Sequence, residues 1–312
     1  MAAERLVYLN GAMVPEADAR ISLFDSQNIW GDMVFETTRT FGHRPFKLRE
    51  HLDRLYASLT MTRIDSGLGI DDLERATLGL LERNRAAYAS EVDFNIVHNI
   101  SRGPIPLYAD AFDGGIGPTV AIFTWPLVKN LGPLAQYYES GVHAVTPRQR
   151  SIPARLLDPK VKSRARLHYQ MAQLEMADFG PDAWAVLLDE DGYLTEGTGS
   201  NFFLVRDGEL LTPEPRNVLR GVTRQTVLDL AAELHIPAQA ANIEPYDAIT
   251  ADEAFFTSTP FCLMPATRFN GRAVGDGRVG PVFQRLTDAF AESAGLDFIE
   301  QARGYAATLG LA

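Results

Sequence analysis

"GDMVFETTRTFGHRPFKLREHLDRLYAS", residues 31–58, holds the reading that decides the fold. Its first half is a β-rich run, a turn at Gly42 and a second run, which predicts a hairpin. Its second half changes period: Leu48, Leu52, Leu55 and, just beyond, Leu59 recur at helical spacing. The flanks extend the pattern. Upstream, "RLVYLNGAMV" predicts another hairpin around Asn10-Gly11. Downstream, "DDLERATLGLLERNRAAY" predicts a second amphipathic helix, and "VDFNIVHNISRG" and "PTVAIFTWPL" are strand-like. Residues 1–122 are therefore expected to form a small α+β domain.

The stretch "WPLVKNLGPLAQYYESG" is punctuated by Pro and Gly, and a linker is expected over residues 123–137. Beyond it, "AWAVLLDEDGYLTEG" and "NFFLVRDGELLTP" predict two hairpins with Asp-Gly turns. Two helices punctuate these strands. "ARLHYQMAQLEMADFG" places Leu167, Met171 and Leu174 on one face, and "TRQTVLDLAAELHIP" does the same with Val227, Leu230, Ala231 and Leu234. Residues 138–312 are expected to be a larger β-rich domain with helices packed on it, not an alternating parallel βαβ array. The fold class is α+β.

Bulk properties narrow the function. The chain has 312 residues, 46% apolar and 22% charged, with a net charge of −11. Nucleic acid and anionic membrane both call for a basic face, so neither is an expected partner. A single cysteine, Cys262, cannot form an internal disulfide. No apolar run reaches transmembrane length and the start lacks a signal-peptide core, so the expected location is cytoplasmic. The six histidines show no HxxxH or HExxH spacing and there is no cysteine cluster, so no metal is expected.

Five short segments can carry chemistry. Only four of the 29 Lys plus Arg residues are lysines, and two of them, Lys160 and Lys162, sit in "DPKVKSRARLHY". Lysine can lose its proton and form a Schiff base, which arginine cannot. Cationic neighbours favour the free amine. On local sequence alone, a solvated basic strand end is the favoured reading of the same residues. "LTEGTGSNFFLV" sets Glu196 on a glycine turn, where it could face a protonated pyridine nitrogen or simply solvent. "LRGVTRQTVLDL" opens a helix at Val222-Thr223, with Thr223 a plausible N-cap. The start is suited to a phosphate or to plain capping. "FFTSTPFCLMP" adds the hydroxyls of Ser258 and Thr259. "EHLDRL" adds Arg54, a phosphate clamp or a partner of Glu50 at i,i+4.

The order of these segments resembles the class IV pyridoxal-phosphate aminotransferases. That family holds branched-chain, D-amino-acid and (R)-selective amine aminotransferases and aminodeoxychorismate lyase. The resemblance runs from "YLNGAMV" to "VGDGRVGPVFQRL", and residues 31–58 are its most telling block. It implies the two-domain fold-type IV architecture: a small α+β domain, a short linker and a larger β-barrel-like domain with flanking helices. It implies pyridoxal 5′-phosphate as cofactor and a homodimer whose sites use both subunits. It also separates the two lysines. Lys162, at the family's spacing from Glu196, would carry the cofactor covalently and move the substrate Cα proton, and Lys160 would not. Glu196 would hold the pyridine nitrogen protonated. Arg54, Val222, Thr223 and Thr259, with Ser258 adjacent, would bind the phosphate.

The sequence departs from the family at substrate-recognition positions. Val97 stands where branched-chain enzymes carry an arginine, and Leu167 where they carry a tyrosine. Pro260, which has no N–H, stands where an amide often meets the substrate carboxylate. The carboxylate is then met by another arginine, with Arg39, Arg148 and Arg150 as candidates, or an amine lacking a carboxylate is the substrate. Trp30, Phe35, Val97 and Phe261 are the expected pocket residues, and the loop after Gly103 the expected specificity lid. The implied activity is amino-group transfer between an amino acid or amine and a 2-oxo acid by a ping-pong mechanism. A carbon–carbon lyase that eliminates pyruvate is the alternative within the family, and a non-catalytic cofactor-binding protein the alternative outside catalysis.

Overall fold

The structure is a computed structural model that describes residues 4–111 and 116–311. Part of the expected lid, residues 112–115, lies outside the described residues. The chain divides into two compact units, Met1–Leu127 with Val161–Ala165, and Val128–Lys160 with Arg166–Ala312.

The first unit runs β1 (Leu6–Leu9), β2 (Ala12–Pro15), α1 (Ser26–Trp30), β3 (Met33–Phe41), β4 (Arg44–Pro45), α2 (Leu48–Thr62), α3 (Ile70–Asn84), β5 (Phe94–Ser101) and β6 (Thr119–Pro126). Its six strands form one sheet in the order β2-β1-β6-β5-β3-β4, with every pairing antiparallel. Both expected hairpins form on two-residue turns of positive φ. These are 48° and 91° at Asn10-Gly11, and 56° and 63° at Gly42-His43. Such turns match the twist of the flanking strands. The leucines at helical spacing do what their period predicts. Leu52 and Leu55 of α2 and Leu73 and Leu80 of α3 are fully buried against Val34, Ile96, Ile100 and Ile122 of the sheet. Each such burial is worth ~1.5–3 kcal/mol. Asp25 caps α1 through Gln27 N (3.0 Å) and also accepts from Ser101 Oγ (2.6 Å) and Thr119 Oγ1 (2.5 Å). One buried carboxylate thus fastens α1 to the ends of β5 and β6.

Residues 161–165, expected within the large domain, belong to the first unit. β4 covers only the far end of β3, at Thr40 and Phe41. The near end would expose unpaired backbone groups. Phe35 N donates to Lys162 O (2.9 Å), Arg164 N donates to Met33 O (3.4 Å), and Val34 and Ser163 form an antiparallel bridge. Val161 packs into the core beside them.

The second unit runs α4 (Val128–Leu131), α5 (Tyr137–Ser140), β7 (Val142–Val145), α6 (Leu167–Met176), β8 (Ala183–Leu188), β9 (Leu194–Gly197), β10 (Asn201–Arg206), β11 (Glu209–Pro213), α7 (Val222–Glu233), β12 (Ala238–Ala241), α8 (Pro245–Ile249), β13 (Glu253–Ser258), β14 (Cys262–Phe269), β15 (Arg272–Ala273), α9 (Pro281–Ala294) and α10 (Phe298–Thr308). The expected linker therefore contains the end of β6 followed by short helical turns. Strand order is β12-β11-β10-β13-β14-β7-β8-β9, with β15 paired to β14. β9, at one end, returns against β10 and β11, which curls the sheet into a half-barrel. Both Asp-Gly hairpins form. Phe202, Phe203, Phe255 and Phe256 are fully buried, and Phe203 stacks on Phe255 at 5.0 Å.

Two local expectations change. On α6 the buried residues are Ala172 and Met176, while Leu167, Met171 and Leu174 are 74%, 50% and 60% exposed. α6 packs on β8 through Ala172 and Met176, against Ala183, Ala185 and Leu187, and leaves the longer stripe outward. At α7 the N-cap is Gly221 rather than Thr223, which lies in the first turn. A Cβ at residue 221 would fall 2.1 Å from Asn201 Oδ1, so only glycine allows this approach. Among the described residues no helix is long and apolar enough to cross a membrane.

Candidate active site

In the first unit the site is built on β3, α2 and the segment 161–165. Lys162 N donates to Ser58 Oγ on α2 (3.2 Å), and its Nζ lies 5.0 Å from the ring centroid of Phe35. Arg164 stacks on the same ring at 3.7 Å. Glu36 follows Phe35 on β3, so its side chain points to the opposite face, into the core. There Arg54 makes a two-pronged contact with it, Nε to Oε2 at 2.8 Å and Nη2 to Oε1 at 2.7 Å. His51 Nδ1 donates to Oε1 at 3.1 Å. Burial alone would raise the Glu36 carboxyl. The charges of Arg54, His51 and Lys162 outweigh it and hold Glu36 well below the usual carboxylate range. Burial lowers the His51 imidazole, against the pull of Glu36.

In the second unit Glu196 is the penultimate residue of β9 and is 5% exposed. Tyr169 Oη donates to its Oε1 (2.7 Å), while Asn201 Nδ2 (3.2 Å) and Leu219 N (2.9 Å) donate to Oε2. An ionised carboxylate, which is an acceptor on both oxygens, suits this set of three donors. Asn201 also donates to Leu219 O (2.9 Å), which ties the β9–β10 turn to the approach into α7. No side chain caps α7. The amides of Val222 and Thr223 therefore lie in a first turn that offers them no intrahelical acceptor. Ser258 Oγ donates to Gly199 O (2.9 Å), which fastens the end of β13, and with it Thr259, to the same turn.

The other expected residues divide between the two units. Lys160 pairs with Asp158 at 2.8 Å, as an ordinary surface lysine does. Trp30 is 64% exposed at the end of α1. Val97 is fully buried, on the sheet face that carries Phe35. Phe261 lines a cavity of about 340 Å³ with Leu134, Gln173, Trp184, Thr198 and Ser200. Of the arginines considered for a substrate carboxylate, Arg39 is buried and stacks on Phe41 at 4.0 Å, whereas Arg148 and Arg150 are exposed. Arg54 takes Glu36 as its partner, not Glu50. Three residues escaped the sequence reading: Glu36, Tyr169 as a partner of Glu196, and Asn201. Glu36 sits in the quoted opening stretch, where an acidic residue interrupting an apolar strand is the signal.

The donor set fits a phosphorylated pyridine aldehyde. The first unit offers a primary amine, and the second offers a fixed carboxylate for a ring nitrogen and an uncapped helix start with nearby hydroxyls for a phosphate. Comparison with known proteins points the same way. The family model described as amino-transferase class IV matches residues 33–269. A Methanocaldococcus jannaschii protein provisionally assigned as a branched-chain-amino-acid aminotransferase is 35% identical over 92% of this chain and 95% of its own. The D-alanine aminotransferase of Bacillus licheniformis is 27% identical over 92% and 96%. The solved branched-chain amino acid aminotransferase from Thermobaculum terrenum, in its PLP-bound holo-form, superposes with a TM-score of 0.79. It is 26% identical, over 98% of each chain.

Proposed function

The chain belongs to the class IV aminotransferases, and from that membership we propose that it exchanges amino groups between a branched-chain amino acid and a 2-oxo acid. Its architecture is fold-type IV and its cofactor is pyridoxal 5′-phosphate. When bound, that cofactor supplies an aldehyde carrier for the amino group and a ring that accepts the electron pair left at the substrate Cα. Lys162 supplies the amine that holds it, then takes the Cα proton on Nζ and returns it. Glu196 keeps a proton on the ring nitrogen. Arg54, the amides of Val222 and Thr223, and the hydroxyls of Thr223, Ser258 and Thr259 hold the phosphate. The three donors converging on Glu196 carry this reading, because an arrangement that fixes an ionised carboxylate suits a cationic ring nitrogen.

Trp30, Phe35, Val97 and Phe261 are the proposed substrate contacts. The branched-chain assignment draws on the relatives' names and on this apolar set. A D-amino-acid or (R)-amine donor is the second reading, favoured by Pro260, which offers no amide at the β13–β14 turn, and by the D-alanine relative. We further propose a homodimer, since the exposed Leu167, Met171 and Leu174 stripe is an apolar face for a second copy to cover.

The test mixes holoenzyme separately with L-leucine, L-glutamate, D-alanine and (R)-1-phenylethylamine and follows the visible cofactor band. Bleaching by L-leucine and recovery with a 2-oxo acid supports the main reading. Bleaching by D-alanine or the (R)-amine alone supports the second. Lys162→Ala is expected to abolish both bleaching and the borohydride-fixed cofactor adduct. Retention of either refutes the lysine's role.

A further inference from the structure

Tyr169 sits in the first turn of α6, and nothing in the transfer chemistry above uses it. Its hydroxyl nevertheless donates to Glu196 Oε1 at 2.7 Å, one of the shortest contacts in the cluster. The ring is held firmly. It packs on the small core of Val145, Ala172, Met176 and Ala185, lies 4.1 Å from the His168 ring, and has the Arg166 guanidinium 5.2 Å above it. Burial, followed by the negative charge of Glu196, pushes the phenol well above its ordinary value of 10.0. The hydroxyl therefore stays a donor through the whole physiological range. Asn201 and Leu219 hold Oε2 from the other side, so the carboxylate plane is fixed by groups from three different elements.

We propose that Tyr169 is a positioning residue that sets both the orientation and the proton affinity of Glu196. The inference rests on the reading that Glu196 meets the pyridine nitrogen. A neutral donor on a carboxylate stabilises its ionised form and makes it a weaker base. With Tyr169 in place, a proton shared between Glu196 and the ring nitrogen stays on the nitrogen. Without that hydrogen bond the carboxylate becomes more basic and free to turn, and the proton moves toward it. Tyr169 thus acts on the electronics of the cofactor through Glu196, without touching the substrate.

The test reads the ring nitrogen directly, by nitrogen NMR of holoenzyme loaded with ¹⁵N-labelled pyridoxal 5′-phosphate. Wild type is expected to show a pyridinium signal. Tyr169→Phe keeps the ring packing and should shift that signal part-way toward neutral pyridine, with cofactor affinity about tenfold weaker. Glu196→Gln should shift it fully. Incorporation of 3-fluorotyrosine at position 169, a stronger donor of nearly the same shape, should move the signal in the direction opposite to Tyr169→Phe. This keeps the test decisive if the phenylalanine variant folds poorly. An unmoved signal in Tyr169→Phe or in the fluorinated protein, with Glu196→Gln shifted, overturns the role of Tyr169. An unmoved signal in Glu196→Gln overturns the underlying reading instead.

Discussion

Acid is expected to loosen the first unit through His98, and the geometry sets the size of the effect. His98 lies fully buried on β5, cross-strand from Glu36. Thr77 Oγ1 donates to Leu73 O (2.7 Å), so its contact with His98 Nε2 (2.8 Å) is one in which the imidazole donates. Nδ1 then carries a bare lone pair with no partner. A proton placed there would meet no acceptor. Burial lowers His98 from the ordinary 6.5 to about 4; Glu36 pulls the other way and His51 adds repulsion. The sign follows. Between about pH 6.5 and 4 the unfolded chain binds a proton at this residue and the folded chain does not. The stability is therefore whole above 6.5 and drains as pH falls toward 4. At about 1.4 kcal/mol per tenfold change in proton affinity, going from pH 7 to pH 5 removes ~2 kcal/mol. Amide hydrogen exchange of β3, β5 and β6 in the cofactor-free chain measures it, with His98→Met as the non-titrating comparison. Wild type should lose ~2 kcal/mol more than the variant over that interval. Equal losses would refute the reasoning, since they would mean that the buried imidazole takes up its proton without penalty.

Glu36→Gln should cost about 3–5 kcal/mol in urea unfolding, because it removes the charge that faces the buried Arg54 guanidinium. The same variant should lose the part of the acid sensitivity below about pH 4.5 that comes from a carboxyl held ionised in the folded state alone. Gly103→Ala should lower stability by about 2–4 kcal/mol in thermal unfolding. The residue has φ +86°, and an added Cβ would fall 1.7 Å from Gly117 O, a backbone atom. Lys160→Ala, which removes only a surface pair with Asp158, should leave the half-reaction rate within about twofold.

Hairpins and helices were legible because their causes are local. Asn10-Gly11, Gly42-His43 and Asp207-Gly208 each specify a turn from two residues, and all six have positive φ. The leucine period of α2 and α3 needed only a neighbouring sheet. Reading failed where a residue had two plausible partners and the winner lay far along the chain. Glu50 is four residues from Arg54, but Glu36, eighteen residues away, reaches it across α2 and β3. The apolar stripe of α6 looked like a core face. It is not one, because α6 meets β8 through Ala172 and Met176. Lys162 and Glu196 were singled out by resemblance and spacing, not by any local feature of their own segments. Tyr169 was invisible as a partner of Glu196, since nothing in "RLHYQM" points across 27 residues to a glycine turn.

The return of residues 161–165 to the first unit has a consequence for how the chain is made. During synthesis the first 127 residues emerge as a unit whose β3 edge is still open. The segment that closes it, which carries Lys162, lies beyond the first stretch of the second unit. At 5–20 residues per second the ribosome needs a further few seconds, about 2–8, to deliver it. A fragment ending at Leu127 would present that bare edge to any neighbour, and would lack Lys162, the amine proposed above to carry the cofactor.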